Sequence, residues 1–356
     1  MNRMLTRIGL ALALLGQPFC AGLAAAQDAA PAQVAAIATY HGADRQQRLL
    51  EGAKKEGSLT IYGSTTATDQ QLLNEAFQKK YGLKINYWRA SSEAILQRTL
   101  KEAQAGHHEA DLLDLNAMQM EAVRREKLLQ PVESPLHAEL MKGAVAPGKE
   151  WAGQTLDMLV QAYNTTKVRK EDLPKAWDDL LDPKWKGQLG IEATDENWFA
   201  TLLEALGRDK GMKLFGQIAD TNGISVRKGH TLLANLVASG EVPLALTIYD
   251  YSPAELKQKG APIEQFVIAP AIGAFKPIAL LKTAPHPHAA LLYYDFLLGP
   301  QAQQILKDRT RVPTNTKIDS PWKDAQVRFI DPTEAVDLAD QWTRDFETAV
   351  TKRRAR

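Results

Sequence analysis

The sequence predicts an α/β protein of two lobes, each a mainly parallel sheet flanked by helices, with the lobes joined by hinge strands. Three observations carry this prediction. Short strand-then-helix units alternate from Leu59 to Glu126; the alternation resumes from Gln188 after a Pro- and Gly-rich passage between Pro131 and Gly153; and two separated stretches, Thr155 to Tyr163 and Pro277 to Leu281, read as extended backbone between the halves. Parallel strands need crossover helices, and such units supply them right-handed. Two connections between lobes make a hinge, and closure around a ligand is the motion a hinge allows.

The chain starts with a secretory signal pattern: Arg3 and Arg7, the apolar stretch Ile8 to Leu15, and the small residues Ala24, Ala25 and Ala26. Residues 1–26 are expected to be removed near Ala26 on export to the periplasm. The only cysteine, Cys20, lies inside that segment, so the mature chain is expected to have no disulfide and no thiol chemistry. Residues 27–56 read as a loosely held Ala-rich leader followed by a helix over Arg45 to Lys55, stopped by Gly57. Lysine and arginine number 43 against 42 aspartate and glutamate, so no global field points to nucleic acid, and no later run is apolar enough to insert in a membrane. The basic end, Lys352-Arg353-Arg354 with Arg356, reads as a solvated tail.

Lobe 1 is assigned to residues 57–158 and 275–316. Leu59 to Tyr62 is a strand, and the helix after it places Leu72, Leu73, Ala76 and Phe77 on one face before Gly82. Ile85 to Trp88 and Asp111 to Leu115 are the next strands, with helices over Glu93 to Gln104 and Met118 to Glu126. Ligands of parallel sheets bind at the carboxyl ends of the strands. That is where Ser64-Thr65-Thr66, Ser91-Ser92 and Asn116 fall. Hydroxyl residues there cap helices, and helix N-termini offer free N–H groups and partial positive charge to an oxyanion or a polar solute.

Lobe 2 is assigned to residues 159–274 and 317–356. Gln188 to Glu192 leads through Ala193-Thr194-Asp195 into a helix bearing Trp198, Phe199 and Leu202. Ile224 to Arg227 leads through Lys228-Gly229-His230 into Thr231 to Ser239, and Val242 to Ile248 ends at Tyr249-Asp250-Tyr251. Tyr249 and Tyr251 share a side if the strand continues. No GxGxxG, Walker loop, GxSxG, HExxH or CxxC occurs. His107-His108 and His286-Pro287-His288 lack the spacing of a helical metal pair and read as surface turns.

These residues resemble the periplasmic solute-binding proteins of ABC importers, in the branch with the ferric-iron-binding and 2-aminoethylphosphonate-binding proteins. The resemblance runs from Ser58 to Val312 and rests on Leu59-Thr60-Ile61-Tyr62-Gly63-Ser64, Ala90-Ser91-Ser92, Ala110-Asp111-Leu112, Ala162-Tyr163-Asn164-Thr165, Asp182-Pro183-Lys184-Trp185-Lys186-Gly187, Ala284-Pro285-His286-Pro287 and Asp295-Phe296-Leu297. It implies the type II periplasmic binding protein fold, a monomer, a small-molecule solute and a permease partner in the inner membrane, with no cofactor and no catalysis. Ferric-binding members hold iron with a His, a Glu and a Tyr-Tyr pair; this chain has Thr66, Asn116 and Asp250-Tyr251 at the matching positions. The resemblance therefore implies no iron site beyond Asp250 and Tyr251, since Fe(III) wants anionic oxygen donors. Thr194 and Asp195 match the helix start where those relatives hold an anion. Asp195 and Asp250 opposite Arg227, with His230 nearby and Trp198, Tyr249 and Tyr251 as aromatic neighbours, suit a zwitterion, an organic acid or a phosphonate-like solute. The alternatives are an Fe(III) carrier, or a secreted hydrolase or lyase using Asp195 or Asp250 as a base.

Overall fold

The structure is a computed structural model that describes residues 31–322 and 325–352. The signal segment and the basic end from Arg353 onward lie outside the described residues. Helix α1 (31–38) is followed by α2 (Arg45–Glu56), β1 (Ser58–Gly63), α3 (Ala67–Tyr81), β2 (Lys84–Arg89), α4 (Ser92–Gln104), β3 (Leu112–Asp114), α5 (Ala117–Arg125) and β4 (Leu129–Gln130). Then come β5 (Ala152–Asn164), β6 (Leu189–Glu192), α6 (Glu196–Leu206), α7 (Arg208–Asn222), β7 (Ile224–Arg227), α8 (His230–Ser239), β8 (Leu244–Tyr249), α9 (Tyr251–Gln258) and β9 (Ile263–Phe266). The chain closes with β10 (Ala271–Leu281), α10 (Pro287–Leu298), α11 (Pro300–Asp308), β11 (Val312–Pro313), β12 (Val327–Phe329), α12 (Pro332–Asp337) and α13 (Ala339–Phe346).

The main strand order is β2-β1-β3-β10-β5-β8-β6-β7. Pairing is parallel at both ends, β2-β1-β3 and β8-β6-β7, as crossover helices require. In the middle β10 and β5 run antiparallel to each other and to their outer neighbours β3 and β8. These two strands, of 11 and 13 residues, are the crossing strands the sequence predicts, and both are longer than their apolar runs suggested. One apolar core packs α2, α3 and α10 on the first parallel sheet, including Leu49, Leu73, Phe77 and Phe296. Another gathers Trp177, Trp185, Trp198, Phe199 and Phe215 around α6 and α7.

Three readings are corrected. Residues 31–38 are helical, with Val34 and Ala38 buried, because their four-residue spacing puts them on one face against the first core. His286 and His288 are not idle surface turns: they meet Asp111 at 3.1 Å and Glu56 at 2.7 Å and tie the start of α10 to the first sheet and to α2. The segment from Val327 onward does not belong to one side. Strand β12 adds to β10, α12 packs on α5, and α13 packs on α6. Arg125 of α5 holds Asp337 and, at 3.0 Å, the Thr333 carbonyl; Asp345 of α13 takes Arg208 at 2.6 Å.

Candidate functional site

Strands β1, β2 and β3 end together, and each hands the chain to a helix whose N-terminus faces the gap between the halves. Thr66 caps α3 by accepting from the Asp69 N–H, and Ser91 caps α4 by accepting from the Ala94 N–H at 3.2 Å. Asn116 precedes α5 without capping it through its side chain, which leaves its amide exposed in the cleft. Ser92 Oγ donates to Ser64 Oγ at 3.1 Å and accepts from the Asn116 N–H at 3.1 Å, so one hydroxyl pins all three loops together. Thr65 Oγ1 accepts from Lys276 Nζ at 2.8 Å, and the same ammonium lies 3.3 Å from Asp114 Oδ1.

The facing wall comes from β6, β7 and β8. Glu192 accepts from the Thr194 N–H and hydroxyl, at 2.5 and 2.8 Å, and from the Gly229 N–H at 2.7 Å. Asp195 meets His230 Nε2 at 3.3 Å, while its second oxygen, Oδ2, is buried with no partner. The His230 ring lies 4.1 Å from that of Tyr249, which stacks on Tyr251 at 5.5 Å and 13°. Arg311 lies over the Tyr251 ring at 3.6 Å and is itself anchored by Asp69 at 2.6 Å, so Tyr251 is fixed from behind.

Between the walls is a cavity of about 500 Å³ whose lining includes Asn116, Asp157, Asp195, His230, Tyr249 and Lys276. A neighbouring space of about 430 Å³ reaches Ser64, Ser91, Ser92, Tyr251 and Arg89, and a narrow one of about 50 Å³ reaches Thr65 and Thr66. Asp157 and Lys276 border all three. Ile330, Pro332, Ala335, Ala339 and Thr343 of the C-terminal segment close one side.

Burial governs the ionisation here. It pushes the Asp157 carboxyl up against the opposing pull of Lys276, and lifts both the Tyr249 and Tyr251 phenols. For His230 burial works against the charged ring, but Asp195 beside it prevails and raises the pKa.

Of the residues predicted from sequence, Ser64, Thr65, Thr66, Ser91, Ser92, Asn116, Thr194, Asp195, His230, Tyr249 and Tyr251 border this connected space. Two others, Arg227 and Asp250, do not border it, and a third, Trp198, lines it only from behind. Arg227 instead pairs with the exposed Glu241 at 3.4 Å. Asp250 is buried behind the wall and accepts from Trp322 Nε1 at 3.1 Å; the chain turns helical at this residue, which parts it from Tyr251. Trp198 is 1% exposed and packs edge-on against Trp177 at 5.5 Å, so it backs the cavity as core. Asp157 and Lys276 escaped the sequence reading. Their only signal was a lone charge inside each apolar crossing strand.

Two α/β halves, joined by crossing strands around a polar cleft, define a hinged receptor for small solutes. The chain belongs to the bacterial extracellular solute-binding proteins, whose family pattern matches residues 107–335. It is 25% identical over 271 residues to the iron uptake protein A1 of a Synechocystis strain, covering 71% of this chain and 74% of that one. It is 24% identical over 267 residues to the Fe(3+)-binding periplasmic protein of Serratia marcescens, covering 72% and 78%. Among solved structures, iron-bound HitA from Pseudomonas aeruginosa superposes with a TM-score of 0.70 at 22% identity, over 81% of this chain and 98% of that one. AfuA from Actinobacillus pleuropneumoniae, with exogenous fructose-6-phosphate bound, superposes with a TM-score of 0.70 at 22% identity, over 83% and 99%. The fold is that of the type II periplasmic binding proteins, and the protein is of the ABC-importer solute-binding type. No helix among the described residues is long and apolar enough to cross a membrane.

Proposed function

We propose that this protein captures a small polar organic solute with an acidic group (an organic acid, a zwitterion or a phosphonate-like molecule) and delivers it to an ABC permease in the inner membrane. The observation that carries this reading is the unequal charge of the two walls. Three helix N-termini, a row of hydroxyls and Lys276 face the cleft on one side, which suits an anion. The partnerless Asp195 oxygen on the other side suits a hydroxyl or ammonium donor. In this reading the lobes are residues 57–158 with 275–316 and residues 159–274 with 317–326, and the segment from Val327 onward straps them. The mature chain starts after Ala26 and works as a monomer. Closure presents a shape the permease reads, and no turnover is involved.

A second reading, an Fe(III) carrier, is favoured by one observation: the phenols of Tyr249 and Tyr251 border the same space as Asp157. These are hard oxygen donors. Thermal unfolding of the ligand-stripped mature protein separates the two. A ligand present at about 1,000 times its Kd adds roughly 4 kcal/mol to stability. The expected result is a raised midpoint with a carboxylic, amino or phosphonic acid and none with Fe(III). A shift with Fe(III) alone, with a coloured phenolate-to-iron band, would replace the first reading by the second. Conversion of any panel compound to product would remove the receptor reading.

A further inference from the structure

We propose that Glu192, Asp195 and His230 form a site for one divalent first-row transition-metal ion on the second wall of the cleft, separate from the Tyr249 and Tyr251 phenols. The ligand atoms of the three side chains lie within 4.8 Å of one another, and the closest pair, Asp195 Oδ1 and His230 Nε2, is 3.3 Å apart. Donor atoms held tetrahedrally about 2.0–2.2 Å from a shared ion lie about 3.3–3.6 Å apart, the spacing of the Asp195–His230 pair. One imidazole and two carboxylates suit Zn²⁺, Mn²⁺ or Fe²⁺.

Two features single this cluster out from an ordinary ion pair. The Asp195 side chain is only 8% exposed, yet its Oδ2 faces no donor. Buried polar atoms left unpaired are costly and rare. Glu192, by contrast, is already braced by three hydrogen bonds from Thr194 and Gly229, the kind of outer support that orients a metal ligand. The charges favour a cation: the N-termini of α6 and α8 contribute roughly half a positive charge each, so two carboxylates leave about one net negative charge at the cluster. Asp195 and His230 both border the cavity, so the remaining coordination positions open toward it.

Resting on the solute reading, occupancy changes what the wall accepts. Without an ion it offers a carboxylate oxygen to a donor; with one it offers a cation to a second acid group. The ion would thus select between solute classes.

The test titrates Zn²⁺, Mn²⁺ and Co²⁺ separately into chelator-treated, solute-free mature protein, by calorimetry and by Co²⁺ absorption. The expected result is one saturable ion per chain. D195N and H230Q should each weaken it by at least about tenfold, as losses around metal sites do, while Tyr251→Phe leaves it unchanged. Each variant's melting curve is recorded, and a variant that does not fold is replaced by Asp195→Ser or His230→Asn. No saturable binding of any of the three ions, or equal affinity in the folded variants, overturns the site. A loss in Tyr251→Phe equal to that in D195N relocates the ion to the phenols and overturns it as well. Because no solute is present, these outcomes leave the solute reading to its own experiment.

Discussion

The two walls of the cleft are built by the same device and end in opposite chemistry. On the first, parallel strands β1, β2 and β3 release into helices α3, α4 and α5 through Thr66, Ser91 and Asn116, and all three turns border the cleft. On the second, β6 and β7 release into α6 and α8, but Glu192 covers the Gly229 N–H and Asp195 sits at the start of α6. The first wall presents hydroxyls and Lys276 to the cleft; the second presents the carboxylate of Asp195 and the His230 ring. Strand-to-helix geometry therefore fixes where a ligand sits, and the residues at the turn fix its sign and its orientation.

Substitutions can break or sharpen that contrast. The largest effect concerns what lies behind the second wall. Trp198→Ala should cost about 3–5 kcal/mol of stability in denaturant titration, as truncating a core aromatic does, while Trp198→Phe keeps solute affinity. A Phe variant that folds but loses binding would place Trp198 on the ligand. Next, Lys276→Met removes the more buried cation of the first wall, where Nζ is 2.8 Å from Thr65 Oγ1. Affinity for an acidic solute should fall about 10- to 100-fold, on the scale of a hydrogen bond to a charged group, and calorimetry would read it. An unchanged Kd would put the anion elsewhere.

A third effect is pH-dependent and lies just behind the second wall. Burial, then the nearby Asp157 charge, pushes the Asp250 carboxyl up to about 8. Unfolded aspartate titrates near 4 (~3.9). Between these values the folded protein holds a proton that the unfolded chain has released. Stability therefore falls as pH rises through that window, by up to ~1.4 kcal/mol per pH unit for one proton. Asp250→Asn should flatten this slope and keep the acceptor for Trp322. A slope identical to that of the parent protein would contradict the assignment. The smallest effect concerns the strap across both walls. Asp337→Ala removes one exposed partner of Arg125 and leaves it the Thr333 carbonyl, so affinity should drop no more than a few-fold. Small-angle scattering of the solute-free protein should show a more open shape.

Much of this was legible in the chain. Strand and helix alternation gave the parallel sheets, and hydroxyls at strand ends gave the first wall, because capping and ligand binding use the same N–H groups. The second wall was half legible. Asp195, His230, Tyr249 and Tyr251 sit at turns, where position is nearly forced. Arg227, Trp198 and Asp250 went astray because their direction depends on tertiary neighbours: Glu241, the aromatic core and Trp322. Asp157 and Lys276 were hidden in strands that read as structural, although a charge inside an apolar crossing strand needs a cleft to face. The strap was missed because its role depends on tertiary partners, α5 for α12 and α6 for α13, which lie far from it in sequence.

The most direct test of the oriented cleft is a crystal structure of the mature protein with the tightest-binding acid from the panel. The account predicts the acid group against Ser64, Thr65 or Ser92 and Lys276, with its donor group toward the second wall. An acid group seated on the α6 and α8 ends, or Fe(III) held by Tyr249 and Tyr251, would contradict it.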